Sequence, residues 1–141
     1  NISKLVQVGI RDYCEEEVIK VAQEGKRISV FYDQQLKEEK FKGINWEQQC
    51  NKIIEKLPPK VYISFDIDGL DPKLCPNTGT PVPGGLEYTE AIYLIKKIIE
   101  SGRTIIGFDV CEVGNNEWDA SIGARIIYKL ANLMNKSNES S

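Results

Sequence analysis

Val61-Tyr62-Ile63-Ser64-Phe65-Asp66-Ile67-Asp68-Gly69-Leu70-Asp71-Pro72 opens in β-branched and aromatic residues and closes in acids, glycine and proline. The first kind favours a strand and the second a turn. Two carboxylates at the exit of a buried strand suit divalent-cation chemistry. Alternate side chains of an extended segment leave the same face, so Asp66 and Asp68 are expected to point together, with Ile67 turned away. A plain strand cap running into a turn would use the same residues.

Outward from this strand, strand and helix signals alternate. Toward the N-terminus, Leu5 to Ile10 reads as a strand. A helix follows, whose acidic first turn, Glu15-Glu16-Glu17, complements the helix dipole. Ile28 to Tyr32 is the next strand, Asp33 to Phe41 a polar and partly helical connection, and Trp46 to Leu57 a helix stopped by Pro58-Pro59. Toward the C-terminus the periodicity predicts a helix over Tyr88 to Ser101 closed by Gly102, a strand over Thr104 to Phe108, and a closing helix over Trp118 to Met134. The expected fold is α/β: a three-layer, doubly wound, mostly parallel sheet of about four strands with helices on both faces. Residues 1–135 read as one domain and 136–141 as a frayed polar tail. Ligands of such sheets collect at the strands' carboxyl ends, where Arg11-Asp12, Asp33, Asp66 with Asp68, and Asp109 with Glu112 all fall.

Composition narrows the classes. Eighteen basic and 21 acidic residues give a net charge of −3 with no clustered basic face, which argues against nucleic acid. No apolar run approaches the roughly 18 to 20 residues that span a bilayer, and no export signal is recognised, so no membrane partner is expected and the cytoplasm is the default compartment. Cys14, Cys50, Cys75 and Cys111 lie far apart without a Cys-x-x-Cys pair and read as reduced thiols.

Two further segments complete a pattern with the acidic pair: Asn77-Thr78-Gly79-Thr80-Pro81-Val82-Pro83-Gly84-Gly85-Leu86 and Ile105-Ile106-Gly107-Phe108-Asp109-Val110-Cys111-Glu112-Val113-Gly114-Asn115. In order and spacing the three resemble the C-terminal half of a ureohydrolase, the family of arginases, agmatinases and formimidoylglutamases. The resemblance implies an arginase-like fold and hydrolysis of a guanidino or related amidine C–N bond with release of urea. It also implies two Mn²⁺ ions, with Asp66 bridging both and Asp68 ligating one. Thr80 would lie near the substrate guanidinium, and Glu112 would hold that group by paired, charge-assisted hydrogen bonds. Arg11-Asp12-Tyr13-Cys14-Glu15-Glu16-Glu17 stands where arginases show Arg-Asp-x-Asp-x-x-Glu, so Asp12 and Glu17 are implied substrate-binding residues. Cys14 replaces the second acid of that pattern. This weakens recognition of an α-amino group and leaves agmatine and other guanidino compounds open as substrates.

The family's Gly-Gly-Asp-His and Asp-Ala-His-x-Asp segments do not occur here, the sequence holds no histidine, and it begins at Asn1. The expectation is a piece of a longer chain of roughly 300 residues, with the N-terminal half of that chain as its partner. Alone it would be inactive and would hold Mn²⁺ weakly or not at all. With the strand of the Asp-Ala-His-x-Asp segment missing, the strands at Leu5 to Ile10 and Val61 to Phe65 are expected to pair directly, or two copies to associate as a homo-oligomer through the gap. Two alternatives stand beside this reading. One is a non-catalytic folded fragment or binding module of the same fold. The other is a phosphotransferase of the haloacid-dehalogenase type, which also uses Asp-x-Asp-Gly but gives Thr-Gly-Thr-Pro no role.

Overall fold

The computed structural model describes residues 2–139. Strands β1 (Leu5–Ile10) and β2 (Ile28–Tyr32) flank helix α1 (Glu15–Glu24). Helices α2 (Asp33–Phe41) and α3 (Trp46–Ile54) lead to β3 (Lys60–Asp66). After a long loop come α4 (Tyr88–Glu100), β4 (Thr104–Cys111) and α5 (Glu117–Glu139). The strand–helix alternation and the parallel pairing expected from the sequence are both present. Residues 33–41, expected to be helical only in part, form one continuous helix. The start of α3 follows from its sequence: Asn45 Oδ1 accepts from the Gln48 N–H at 2.9 Å, and Gln48 Oε1 accepts from the Asn45 N–H at 2.9 Å.

The four strands form two separate two-stranded sheets, β1–β2 and β3–β4. The expected direct pairing of β1 with β3 does not occur. One reason is that the sheets share a core that fixes their separation: Cys50, Ile53 and Ile54 of α3, Val61 of β3, and Leu94 and Ile98 of α4 pack with Val6, Val8 and Phe31 of the β1–β2 unit. A second is that the carboxyl end of the gap is filled. Gly9, at φ +84° beside the irregularity in β1, stands against the Gly69 carbonyl and the Leu86 side chain. There Leu70 and Leu86 form an isolated parallel bridge, closed by Leu86 N–H to Gly69 O at 3.1 Å and Asp71 N–H to Leu86 O at 2.9 Å.

A second cluster joins Ile67, Leu70 and Cys75 to Ile95 of α4, Ile105 of β4, and Ile122, Ile126 and Leu130 of α5. Helices α3, α4 and α5 thus cover the β3–β4 face that bears Val61, Ile63, Phe65, Phe108 and Val110. On the opposite face Tyr62, Ser64, Asp66 and Cys111 are exposed. Helix α1 reaches β2 without fully burying a residue of its own, and its Val18 and Ile19 remain exposed.

The closing helix does not fray at residue 136 as its composition suggests. It runs to Glu139, with Ser137 only 3% exposed. Ser137 Oγ accepts from the Ile105 N–H at 3.0 Å, and Asn138 Nδ2 donates to Ile105 O at 3.1 Å, so two polar side chains satisfy the open edge of β4. Residues 140 and 141, the rest of the expected tail, lie outside the described residues. No described helix is long and apolar enough to cross a membrane. All four cysteines are free, and burial pushes the Cys50 thiol up to about 12 and the Cys75 thiol up to about 11.

Candidate functional site

Strand β3 delivers the acidic pair, although not both acids from extended backbone. It ends at Asp66, and Ile67–Gly69 forms a 3₁₀ turn, so Asp68 projects from the turn. The expectation of two acids on one strand face is corrected accordingly. The Asp-Gly sequence curls the chain as soon as Ile67 is seated, fully buried, in the core. The two carboxylates remain electrostatic neighbours. Partial desolvation, then the charges of Asp68 and Asp109, raise Asp66 above its ordinary value of 3.8. Partial desolvation and Glu112 raise Asp68 likewise, opposed by Arg11 and a backbone hydrogen bond.

Strand β4 lies parallel to β3, with Ser64 in register with Asp109 and Asp66 with Cys111. Asp109 Oδ1 accepts from Ser64 Oγ at 2.8 Å and from Cys111 Sγ at 3.3 Å. These bonds, with one from Tyr62, hold its carboxyl below the usual range. Asp109 is thereby tied into the sheet face. Glu112, just past the strand, adopts φ +60°, a left-handed conformation that costs a non-glycine residue of order 1 kcal/mol. Its carbonyl accepts from Thr78 Oγ1 at 2.7 Å, and its Oε2 lies 3.4 Å from the point where a side chain on Gly79 would begin. The Thr78–Thr80 loop and Glu112 are therefore neighbours, with Thr80 exposed at the same carboxyl end.

Helix α5 pins this loop from behind. Asp119, fully buried in the first turn, accepts from the Asn77 N–H and from Asn77 Nδ2, each at 3.0 Å. Arg11, at the exit of β1, donates to the carbonyls of Val82 at 2.9 Å, Gly9 at 3.3 Å, Asp68 at 2.7 Å and Leu70 at 3.1 Å. The sequence reading passed over Thr78, Asp119 and the bonds of Arg11. Thr78 sits inside a quoted motif, but Asp119 reads locally as one more acid in a helix's first turn, and only its burial singles it out.

The acidic residues of the β1 exit are engaged differently. Asp12 is exposed, and Glu17 Oε2 accepts from the Cys14 N–H at 2.8 Å to close the start of α1. Tyr13 packs on Tyr32, ring centroids 4.8 Å apart. No hydrogen bond or ion pair among the described residues joins Asp12 or Glu17 to Asp66, Asp68 or Glu112.

As a cation site the arrangement is a part. Two mutually repelling carboxylates with raised pKa values offer hard oxygen donors of the kind Mn²⁺ accepts. Among the described residues, however, no three His, Cys, Asp or Glu side chains are grouped to hold a metal ion. The repulsion has a measurable consequence. A native state that binds these protons more tightly than the unfolded chain loses stability as pH rises from 3.8 through the folded-state value. Asp66→Asn and Asp68→Asn are therefore each expected to raise stability at neutral pH by about 0.5 kcal/mol, the scale of a solvent-screened charge interaction. The gain should vanish below pH 3.8, where the wild-type carboxyls are protonated. Melting curves at neutral and acid pH check this, and a lower neutral melting temperature in the variants would contradict it.

Comparison with known proteins gives one consistent answer. The chain is 32% identical over 126 residues to N(1)-aminopropylagmatine ureohydrolase of Thermus thermophilus, matching 88% of this chain and 40% of that protein. It is 34% identical over 113 residues to arginase-1 of Sus scrofa, matching 77% of this chain and 33% of that protein. Among solved structures, the arginase of Bacillus caldovelox aligns with TM-score 0.76 and 25% identity over 92% of this chain and 43% of its own. A hypothetical agmatinase from Burkholderia thailandensis aligns with TM-score 0.75 and 26% identity over 100% of this chain and 42% of its own. The chain thus spans less than half the length of these relatives. The arginase family model matches residues 1–134, and on that match the chain belongs to the arginase family of ureohydrolases.

Proposed function

We propose that this chain is the C-terminal part of a manganese-dependent ureohydrolase that hydrolyses a guanidino C–N bond and releases urea. The observation that carries this reading is the convergence of Asp66, Asp68, Glu112 and the Asn77–Thr80 loop at one carboxyl end of the β3–β4 sheet. Family membership and relatives named as arginase and as N(1)-aminopropylagmatine ureohydrolase support it.

In this reading Asp66 and Asp68 supply part of the ligand set for two Mn²⁺ ions, which when bound would supply the Lewis acidity that activates water. The remaining ligands come from segments that the described residues do not include, so no catalytic step is assigned to this chain's carboxylates alone. Glu112 accepts two parallel hydrogen bonds from the planar guanidinium, and its imposed backbone conformation presents the carboxylate beside the Thr80 loop. A Cβ at Gly79 would meet Glu112 Oε2 at 3.4 Å, an ordinary contact distance, which places the loop directly beside that carboxylate. Asp12 and Glu17 are proposed to meet the far end of the substrate. Glu17 must then share its carboxylate between a ligand and the start of α1. A cytoplasmic setting is part of the same proposal.

The test is urea release, with Mn²⁺, from agmatine, N(1)-aminopropylagmatine and L-arginine. It is run on this chain and on the polypeptide encoded when the reading frame is followed upstream of Asn1. No turnover is expected from the chain alone. Manganese-dependent turnover is expected from the longer polypeptide, reduced at least about 100-fold by Glu112→Ala as guanidinium positioning is lost. Failure of the longer polypeptide on every guanidino compound, or full activity of the Glu112 variant, overturns the reading.

A further inference from the structure

Arg11 occupies an unusual electrostatic position. It is a cation held next to an acidic pair, yet no ion pair among the described residues joins it to a carboxylate. Its donors go instead to four main-chain carbonyls on three separate segments: its own strand at Gly9, the acidic turn at Asp68 and Leu70, and the Gly/Pro loop at Val82. A planar guanidinium fork can serve that set, and a tetrahedral ammonium cannot reproduce it. The residue also belongs to the β1–β2 unit, while the turn and loop it grips follow β3. Since the two sheets share no ladder, their relative placement at this end rests on such contacts.

A second contact from the same unit grips the same loop. Lys37 Nζ on α2 donates to Gly85 O at 2.8 Å and lies 3.8 Å from Asp33 Oδ1. Asp33 is 5% exposed, with that oxygen buried and without a hydrogen-bond partner. Its other oxygen lies beside Gly84, as does Arg11 Cδ. Arg11, Asp33 and Lys37 thus form one brace running from the ends of β1 and β2 to the loop between Val82 and Gly85.

We infer that Arg11 is a positioning residue: by geometry rather than charge, it sets where Asp68 stands relative to Asp66 and the Thr80 loop, and so governs how this chain binds a divalent cation. The inference rests on the proposed manganese chemistry for its consequence, though not for its structural content. The two possible roles of Arg11 have opposite signs. If only its charge mattered, removing that charge would tighten cation binding at the neighbouring carboxylates. If its fork matters, losing the fork loosens binding whether or not the charge is kept.

The experiment uses the ¹⁵N-labelled chain with Mn²⁺ as probe, reading amide line broadening, with hydrogen exchange as an independent arm. In the wild type, broadening is expected to centre on residues 66–69 and 110–112. Arg11→Lys and Arg11→Gln should both weaken it by about tenfold in apparent affinity, the equivalent of one to two net hydrogen bonds. In both variants exchange should accelerate at Leu70, whose amide closes the turn onto Ile67 O, and at Asp71 and Leu86, whose amides close the bridge beside it, and not along the β3–β4 ladder. Wild-type binding in Arg11→Lys, tighter binding in Arg11→Gln, or uniform acceleration across the chain would each overturn the inference. Absence of Mn²⁺ broadening near Asp66 and Asp68 in the wild type would overturn the cation-binding part of the inference and leave the proposed function standing, since that reading draws its other ligands from elsewhere. The exchange arm would then still decide whether Arg11 positions the turn.

Discussion

Asp119→Ala is expected to destabilise the chain by about 3 kcal/mol, the upper end for removing a charged acceptor and stranding its donors. The carboxylate is fully buried and serves one residue twice, accepting the Asn77 N–H at Oδ2 and Asn77 Nδ2 at Oδ1. Alanine leaves both donors without a partner and opens a space behind the loop. Asp119→Asn keeps the volume but turns an amide NH₂ toward a donor, so about 2 kcal/mol is expected. Asn77→Ala removes only the side-chain bond and should cost about 1 kcal/mol. Urea denaturation midpoints at constant m value give the order. Equal losses in Asp119→Ala and Asn77→Ala would show that the backbone N–H contact contributes nothing. The effect should reach the site, because Thr78 follows Asn77 and donates to the Glu112 carbonyl. Losing the pin frees the loop that carries Thr80, and the left-handed backbone of Glu112 loses the support that offsets its strain.

What the sequence revealed and what it concealed follow one physical division. Strands and helices were legible because their signals are local: apolar period, Pro58-Pro59 stopping a helix, glycine at a helix end. The acidic pair and its partner segments were legible because chemistry concentrates in short motifs. Two features were hidden because they depend on residues distant in sequence, and a third because one local signal was outweighed by another. The split into two sheets is one, since a strand's own residues do not say whether its edge is paired, and a core shared among α3, α4 and both sheets keeps β1 from β3. Ser137 and Asn138 are another, because polar residues at a chain end read as solvated until Ile105 is found bonded to both. Asp68 is the third. Alternation along a strand was applied one residue too far, past the point where Ile67 anchors in the core and Asp-Gly begins a turn.

Gly85→Ala should cost about 4 kcal/mol and, unlike most glycine substitutions, should act on the acidic turn. Gly85 has φ +90°, and a Cβ there would lie 2.6 Å from both C and O of Leu70 and 2.9 Å from the Asp71 nitrogen. All three are main-chain atoms, so no side-chain rotation relieves the contact. Gly43→Ala provides the comparison. Gly43 has nearly the same φ, +91°, but nothing lies within 4 Å of the added carbon. Its expected loss, about 1 to 2 kcal/mol, measures backbone strain alone. The excess in Gly85→Ala, about 2 kcal/mol, then measures forced separation of the loop from the turn. That separation pulls on the Leu70–Leu86 bridge, on the Leu70 carbonyl that Arg11 holds, and through the same guanidinium on the Asp68 carbonyl. Chemical-shift changes in Gly85→Ala should therefore extend to Asp66, Asp68 and Glu112, while those in Gly43→Ala stay on the α2–α3 connection. Equal stability losses in the two variants, or unperturbed amides at residues 66–70 in Gly85→Ala, would mean that the loop and the acidic turn are not mechanically joined.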